Sequence, residues 1–444
     1  MIVVIGAGPA GLAAARQIAA HGDAVVVLDS NQRAGGQYWR HRSEVTGYKS
    51  DRSKKYLRAI SESSLVTFIH GATVWSAQRE REGFCINYLQ HGVERSLHAS
   101  EIILATGAYD RSLPFPGWTV PGVMTPGAAQ SLLKGHGVLA GKSVVICGTG
   151  PFLLPVASAL AESGATVRVF EAHSPLRWLF SLPALILNPG KFPEFIYYIR
   201  SFIRLRIPLK YGYTVTAYRN GKAEISRITS SLAAKKIEEH IECDVVAAGW
   251  GFQPDVTLGG ILGCRQKLDR DGTVIFDVDS NQLSSVPNIW IAGEATGIGG
   301  ADLALVEGEI AGLAAMGEKP PLKALFTRWR KKVFARALQR SYPIGSGWQG
   351  WLEDQTLICR CEEVTSLNIR ESVVELGASD ARTSKLFTRA GMGLCQGRIC
   401  SRNVSDVVCS TTGITVSDDE RIAAHNRPIA APISLGVLGD GISR

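Results

Sequence analysis

Two pairs of cysteines near the end of this 444-residue sequence have the type and spacing to hold a soft metal centre. Cys359-Arg-Cys361 and Cys395-Gln-Gly-Arg-Ile-Cys400 place four thiols in two short segments, with 33 residues between the pairs. Thiolates grouped in this way ligate zinc or an iron–sulfur cluster. Structural zinc sites usually separate each pair by two to four residues, and the first pair here is separated by one. The spacing favours a [2Fe-2S] cluster, with zinc and unligated thiols as the alternatives. Ala390-Gly-Met-Gly393 lies just before the second pair, where glycines let backbone N–H groups turn toward sulfur.

A second site is written at the other end. Ile2 to Ile5 reads as a buried strand, followed by Gly6-Ala-Gly8-Pro9-Ala10-Gly11 and an Ala-rich helix to about His21. A second apolar strand, Ala24 to Leu28, ends in Asp29 and Ser30. Gly6 makes the turn, Gly8 lets backbone approach a pyrophosphate, and Gly11 allows close helix–strand packing. The helix N-terminus offers N–H groups to phosphate, and Asp29 can accept from an adenosine ribose. Three later segments point to FAD in this site. Gly35-Gly36-Gln37 follows the ribose acid. Ala105-Thr106-Gly107 closes an apolar strand. Ile289-Trp-Ile291-Ala-Gly293-Glu294 is a strand ending in an acid, before a glycine turn and a helix opening at Ala301. That last pattern suits a ribityl chain and a helix N-terminus set against the flavin ring.

A weaker copy of the opening unit lies between these segments. Lys142 to Ile146 leads to Gly148-Thr-Gly150-Pro-Phe-Leu153, a helix, and a strand ending at Glu171. Leu153 replaces the third glycine, so helix and strand cannot pack as closely. The choice between a working nicotinamide site and a structural relic stays open at this level. Asp244 to Gly249 and Gly251-Phe-Gln-Pro254 mark the return to the first domain.

Composition sets the frame for both sites. The length calls for more than one core, and 45% apolar with 20% charged residues is ordinary for a globular protein. Five further cysteines (Cys85, Cys147, Cys243, Cys264, Cys409) are scattered, as expected in a reducing compartment. No secretory leader is visible before Gly6, and the apolar stretch Leu176 to Ile207 is broken by Pro183, Pro189, Gly190 and Pro193. A membrane span is not expected, and the cytoplasm is the expected location. The net charge of +8 is matched by eight basic residues between Lys319 and Leu352, a stretch without acids. With the rest balanced, nucleic-acid binding is not expected. Within that stretch Leu322, Leu325, Phe326, Trp329, Val333 and Ala337 recur at helical spacing. Its basic face would either lie solvated on its own protein or dock an acidic partner.

The order of these units resembles the two-dinucleotide-binding flavoproteins, including the pyridine-nucleotide disulfide reductases. No CxxC redox pair is present, so disulfide reduction is not expected. A closer resemblance rests on Ile358-Cys-Arg-Cys-Glu-Glu-Val364, Thr388 to Cys400, Asn426-Arg-Pro-Ile-Ala and Pro114 to Thr125. In these stretches the chain is similar to the α (A) subunit family of heteromeric amine dehydrogenases: opine oxidase, D-hydroxyproline dehydrogenase and the flavoprotein subunits of hydrogen cyanide synthase. Its C-terminal part resembles the bacterioferritin-associated ferredoxin fold, which binds [2Fe-2S]. The usual second pair of that fold is CxxC, and the wider Cys395–Cys400 spacing is the one this branch shows.

The resemblance implies an α/β fold with a Rossmann-like FAD domain (1–112 and 266–318), an inserted NAD(P)-like domain (113–265), a basic linker helix (319–352), and a small helical [2Fe-2S] domain with tail (353–444). It implies FAD and a [2Fe-2S] cluster held by Cys359, Cys361, Cys395 and Cys400, with FMN at a subunit interface or another adenine nucleotide as variants. The implied partner is a separate amine-oxidising flavoprotein β subunit; a small γ subunit is a further candidate. No catalytic base is expected on this chain, because the C–N bond would be oxidised on another. Two rival readings are a self-sufficient NAD(P)H-dependent reductase and a non-catalytic nucleotide-bound scaffold.

Overall fold

The computed structural model describes residues 1–41 and 50–442. The chain forms two compact units. One comprises Met1–Tyr109, Gln253–Arg336 and Asn426–Arg444, and the other Asp110–Phe252 and Ala337–His425.

The first unit is built on a parallel sheet whose central strand, Ile2–Ile5, pairs with Val25–Asp29 on one side and Glu101–Leu104 on the other. Val66–His70 and Ile289–Ile291 form the outer strands. Ile-Val-Val-Ile is apolar at every position because helices cover both faces of such a sheet. The helix Pro9–Ala20 starts directly after Gly8, with proline at its first turn and no side-chain cap. It packs against the helix Ala301–Ala315 with almost no side chain between them. A Cβ on Gly308 would lie 2.0 Å from the Ala10 carbonyl oxygen, and one on Gly312 would lie 2.8 Å from that of Ala14. A three-stranded antiparallel sheet, Ala72–Arg79, Phe84–Gln90 and Val93–Ala99, completes this unit, and the tail segment joins it through Ala430 N–H to Trp75 O at 2.6 Å.

The second unit repeats the parallel theme in the order Leu209–Tyr211, Thr166–Glu171, Ser143–Thr149, Val245–Trp250, Val123–Met124. An antiparallel sheet of Tyr213–Arg219, Lys222–Ile228 and Ala234–Glu242 lies in the same unit. The thiol-bearing segment does not stand apart from these sheets. Cys359, Cys400, Ile358 and Val404 share one hydrophobic core with Cys147, Phe170, Trp250 and Ile225, and Trp348 and Trp351 fill the space between. Two indole N–H groups fasten the seam: Trp118 donates to Leu357 O at 2.6 Å and Trp351 to Leu232 O at 2.9 Å.

The basic linker is a helix, Leu322–Ser341, followed by a short 3-10 turn, Ser346–Trp351. Its apolar stripe is divided: Leu325 and Val333 are half-buried and Ala337 is buried, while Leu322, Phe326 and Trp329 are exposed, with the last two rings stacked at 5.6 Å. Lys319, Lys323, Arg336 and Arg340 are exposed, and three basic side chains turn inward, two of them to the fully buried Glu307 carboxylate, which demands counter-charge. Arg328 Nε and Lys332 Nζ lie 3.4 and 3.2 Å from Glu307, and Lys331 pairs with Asp302 at 3.7 Å. Part of the apparent basic docking face, Arg328, Lys331 and Lys332, is therefore neutralised within its own unit.

The helix–helix contact yields a direct test. Alanine is favoured over glycine by roughly 1 kcal/mol in a free helix, yet Gly308→Ala drives a methyl into the Ala10 backbone. The variant is expected to lose about 1–3 kcal/mol of stability, read from its urea midpoint. A stabilised variant would show that the two helices can separate without cost.

Candidate functional site

The sequence-chosen residues of the first site converge around Gly8 and Ala10. Gly6 adopts φ +104°, and a Cβ there would meet the Ala105 carbonyl oxygen at 2.3 Å. A Cβ on Gly11 would lie 1.8 Å from the Gly6 oxygen, so both positions exclude any side chain. The loop at Gly36 passes over the fingerprint, because a Cβ on Gly36 would reach Gly8 Cα at 2.8 Å, and Gly35 N–H donates to Ala7 O at 2.7 Å. From the opposite side, a Cβ on Gly293 would come within 2.9 Å of the Ala10 methyl. Ser30 and Gln37 are exposed beside these turns, and Pro9 opens the helix.

Gly8 itself differs from its neighbours. A Cβ on Gly8 meets nothing within 4 Å, and the same holds for Gly107 and Gly300. Backbone thus surrounds an open cradle, with the uncapped N-termini of Pro9–Ala20 and Ala301–Ala315 in the same unit. Such a cradle fits a dinucleotide pyrophosphate and a flavin. Thr106 is held by a 2.7 Å hydrogen bond from its hydroxyl to Asp255 O, and Asp255 N–H donates to Gly107 O at 3.0 Å.

The acids of this site are engaged with the loops they adjoin. Asp29 accepts from Ala7 N–H at 2.5 Å and from Asn31 N–H at 2.7 Å, which fixes its carboxylate at the strand end. Glu294 accepts from Gly299 and Gly300 N–H at 3.1 and 2.8 Å, bracing the turn before Ala301. Burial pushes the Glu294 carboxyl up to about 7 despite those two bonds, and nearby Glu307 adds to the rise. Glu307 was not legible as part of the site. It accepts from Gly293 N–H at 3.1 Å and Thr296 Oγ1 at 2.9 Å, tying the helix interior to the strand end.

In the second unit the copied fingerprint is engaged by its own acid, although a Cβ on Gly150, like one on Gly8, would meet nothing within 4 Å. Glu171 accepts from Thr149 Oγ1 at 2.8 Å, from Gly150 N–H at 3.0 Å and from His173 N–H at 3.1 Å. Gly150 is the counterpart of Gly8, so the amide that would face a pyrophosphate is already used. The helix begins only at Leu153, after a turn, and has no capping side chain. Leu153 is buried against Gly249, where a Cβ would touch its Cδ2 at 3.4 Å. The segment after the linker helix covers the same strand end: His173 Nε2 bonds Pro343 O at 2.7 Å, and Arg177 Nε donates to Ser341 O at 3.1 Å.

The four thiols lie on two facing turns. Cys359 ends the strand Leu357–Cys359, which pairs with Val364–Thr365. Cys400 is the N-cap residue of the helix Ser401–Thr412. Gly391, Gln396 and Gly397 take left-handed φ values of 86°, 50° and 77°, which fold the chain back on the sulfurs. Gly391 N–H points to Cys359 Sγ at 3.4 Å. A hydrogen bond with Cys400 is the main reason the Cys359 thiol is lowered to about 6, with backbone N–H groups of Gly391, Glu362 and Cys361 assisting. Cys395 is lowered for the same first reason, while Cys400 is raised by donating to both.

Cys400 interacts with both Cys359 and Cys395, and Cys361 with Cys395. Among the described residues, the set of three or more candidate ligand atoms within 4.8 Å of one another is Glu80, Cys85 and His98, on another sheet. Four thiolates on two facing turns suit a [2Fe-2S] cluster with two on each iron, or a zinc ion.

Two dinucleotide folds and a four-thiol site on one chain are the parts of an oxidoreductase. Comparison with known proteins agrees. The model of the pyridine nucleotide-disulphide oxidoreductase family matches residues 1–308, and that of the BFD-like [2Fe-2S] binding domain matches residues 357–409. The A subunit of opine oxidase from Rhizobium meliloti is 32% identical, across 94% of this chain and 83% of its own length. The HcnB subunit of hydrogen cyanide synthase from Pseudomonas aeruginosa is 31% identical, across 93% of each. The solved L-proline dehydrogenase of P. horikoshii shares the fold, with a TM-score of 0.68 over 98% of this chain and 78% of that one at 19% identity. The chain belongs to the pyridine nucleotide-disulphide oxidoreductase family and, within it, to the family of HcnB and the opine oxidase A subunit. It is a flavin-dependent oxidoreductase with a C-terminal [2Fe-2S] domain, as its sequence led one to expect.

The acid of the second fingerprint carries a pH signature. Burial raises the Glu171 carboxyl from 4.5 to about 7. The folded chain therefore keeps this proton where the unfolded chain has lost it, so stability falls as pH rises from 4.5 to 7 and levels off above. The full span is about 3 kcal/mol. In Glu171→Gln that component of the slope should vanish, leaving a constant offset from the lost acceptor. Parallel stability-versus-pH curves for variant and parent would mean the carboxyl is ionised throughout.

Proposed function

We propose that this chain is the electron-transfer α subunit of a heteromeric dehydrogenase. In this reading a separate flavoprotein β subunit oxidises the C–N bond of an amino acid or opine-like secondary amine. The D-hydroxyproline, opine, proline and glycine classes are the candidate substrates. The observation that carries the reading is the pairing, on one chain, of an open dinucleotide cradle with a four-thiol site. The lack of a CxxC pair argues against disulfide reduction. Both named relatives are subunits, which supports assembly with a partner.

Gly6, Gly8, Pro9, Ala10, Gly11, Asp29 and Ser30 would hold the adenosine and pyrophosphate of FAD. Gly36, Gln37, Ala105, Thr106 and Gly107 would line its path, and Gly293, Glu294 and Ala301 would meet the ribityl chain and ring. Cys359, Cys361, Cys395 and Cys400 would be the cluster ligands. A bound flavin exchanges two electrons and a [2Fe-2S] cluster one, so together they convert a pairwise oxidation into single-electron delivery. The residues described here supply the rest: amides that hold phosphate, and N–H groups aimed at sulfur that stabilise its negative charge. No helix among the described residues is long and apolar enough to cross a membrane, and a location on the cytoplasmic side is part of this proposal.

The NAD(P)H-dependent reductase is the less favoured reading, because Glu171 occupies the Gly150 amide and Leu153 stands at the third glycine position. Two measurements test the choice. Anaerobically purified chain should carry two irons and two acid-labile sulfides and give a rhombic S = 1/2 EPR signal after dithionite. Cys359→Ser should abolish that signal while leaving the flavin absorbance. A protein without iron or sulfide under those conditions sinks the relay. In the second, NADH or NADPH added to the isolated chain should leave the flavin oxidised; stoichiometric bleaching would favour the reductase instead.

A further inference from the structure

The segment between Pro175 and Arg206, part of the second unit, buries less of its apolar content than its composition would lead one to expect. It contributes nothing to the thiol site or to the strands of the fingerprint. It forms a 3-10 turn (Pro175–Ser181), a short helix (Leu182–Ile186) and a longer helix (Lys191–Arg204), bent by Pro183, Pro189, Gly190 and Pro193.

The longer helix is held from one side. Ser201 is buried, Tyr197, Tyr198 and Phe202 are half-buried, and Phe202 packs on the core under the helix Leu153–Glu162. The opposite stripe is apolar and open: Phe192, Phe195, Ile196, Ile199 and Ile203 all face solvent at i, i+3, i+4, i+7 and i+11 spacing. Ile203 is 73% exposed. The preceding segment continues the same chemistry, with Leu176 71% and Ile186 73% exposed. A contiguous apolar surface of this kind is rarely left to water.

Its charge selects the occupant. The segment carries Arg177, Lys191, Arg200, Arg204 and Arg206 against a single acid, Glu194, and that acid is tied to Lys191 at 3.0 Å. Arg200, Arg204 and Arg206 are exposed at the C-terminal end of the apolar stripe, with Arg204 also reaching Glu162 at 2.7 Å. Arginine beside exposed aliphatic and aromatic side chains lets the apolar parts enter a hydrocarbon boundary while guanidinium groups stay with phosphate. The helix is too short and too polar on its inner face to span a bilayer, so it would lie in the interface plane.

We propose that residues 175–206 form a surface-lying contact with a bilayer of anionic lipid. The helix Lys191–Arg204 inserts its Phe192–Ile203 stripe, and Arg200, Arg204 and Arg206 hold headgroup phosphates. The contact is independent of which amine the enzyme's partner oxidises.

Vesicle co-sedimentation of the full purified chain tests this. The chain should pellet with phosphatidylcholine/phosphatidylglycerol vesicles, and much less with phosphatidylcholine alone or in 0.5 M salt. The exposed-position double variant Ile196→Asp/Ile199→Asp should lower the bound fraction about tenfold or more. Arg200→Gln/Arg204→Gln should remove the preference for the anionic lipid while retaining weak binding. Unchanged melting temperature and flavin content keep the variants interpretable, since none of the four positions is buried. The proposal is overturned if the parent chain stays in the supernatant with anionic vesicles, or if the aspartate pair binds them as well as the parent does. It is equally overturned if vesicles are ignored while the aspartate pair dissolves a self-associated form seen by size exclusion, which would make the stripe an interface between copies.

Discussion

The first unit depends on backbone meeting backbone where no side chain fits. The turn at Gly6 sits under Ala105, Gly11 sits under Gly6, and Gly308 sits against Ala10, each so close that a single methyl carbon would overlap an oxygen. These contacts join residues near position 10 to residues near 105 and 308, and so close a unit whose sequence is interrupted by another. They also aim amide groups at one point. The cradle at Gly8 is therefore a product of packing. It exists because its walls are peptide groups held too close to admit side chains.

Buried carboxylates are the second ordering principle, and they serve the protein before any ligand. Asp29, Glu171, Glu294 and Glu307 each accept from the backbone of a neighbouring turn. A carboxylate can organise two or three such donors, which a neutral side chain cannot do as strongly. The cost is desolvation, visible in the raised Glu171 and Glu294 carboxyls. Glu307 meets it differently, by recruiting Arg328 and Lys332 from the linker helix. The difference between the two fingerprints comes down to reach: Asp29 stops at the Ala7 amide, while the longer Glu171 extends to Gly150 and closes its own loop.

Much of this was legible in the residues. Strand, glycine turn, helix, strand and acid follow one another in the first unit as the spacing implies, and Ile289 to Ala301 returns to the same sheet. The thiol pairs fall on turns, with Gly391 and Gly397 in left-handed backbone beside them. Three features were hidden, each because it is set by distant partners. The basic face of the linker helix was expected to lie solvated or to dock a partner, yet Glu307, invisible as an anion sink inside an apolar-looking helix, draws Arg328 and Lys332 inward. Glu294 was read as a ligand group, and only the fold shows its carboxylate bracing Gly299 and Gly300. The thiol segment's packing was hidden too, because local patterning does not reveal that Trp348 and Trp351 bridge it to the core of Phe170 and Trp250.

That shared core has a consequence for the life of the protein in a cell. Cys359 and Cys400 are at once interior residues and proposed metal ligands, so acquiring the cluster and consolidating the second unit become one event. A chain made under iron limitation would keep a loosened interior and be taken by proteases in preference to its loaded counterpart. The abundance of the enzyme would then follow the iron supply without any regulator, the fold itself acting as the gauge.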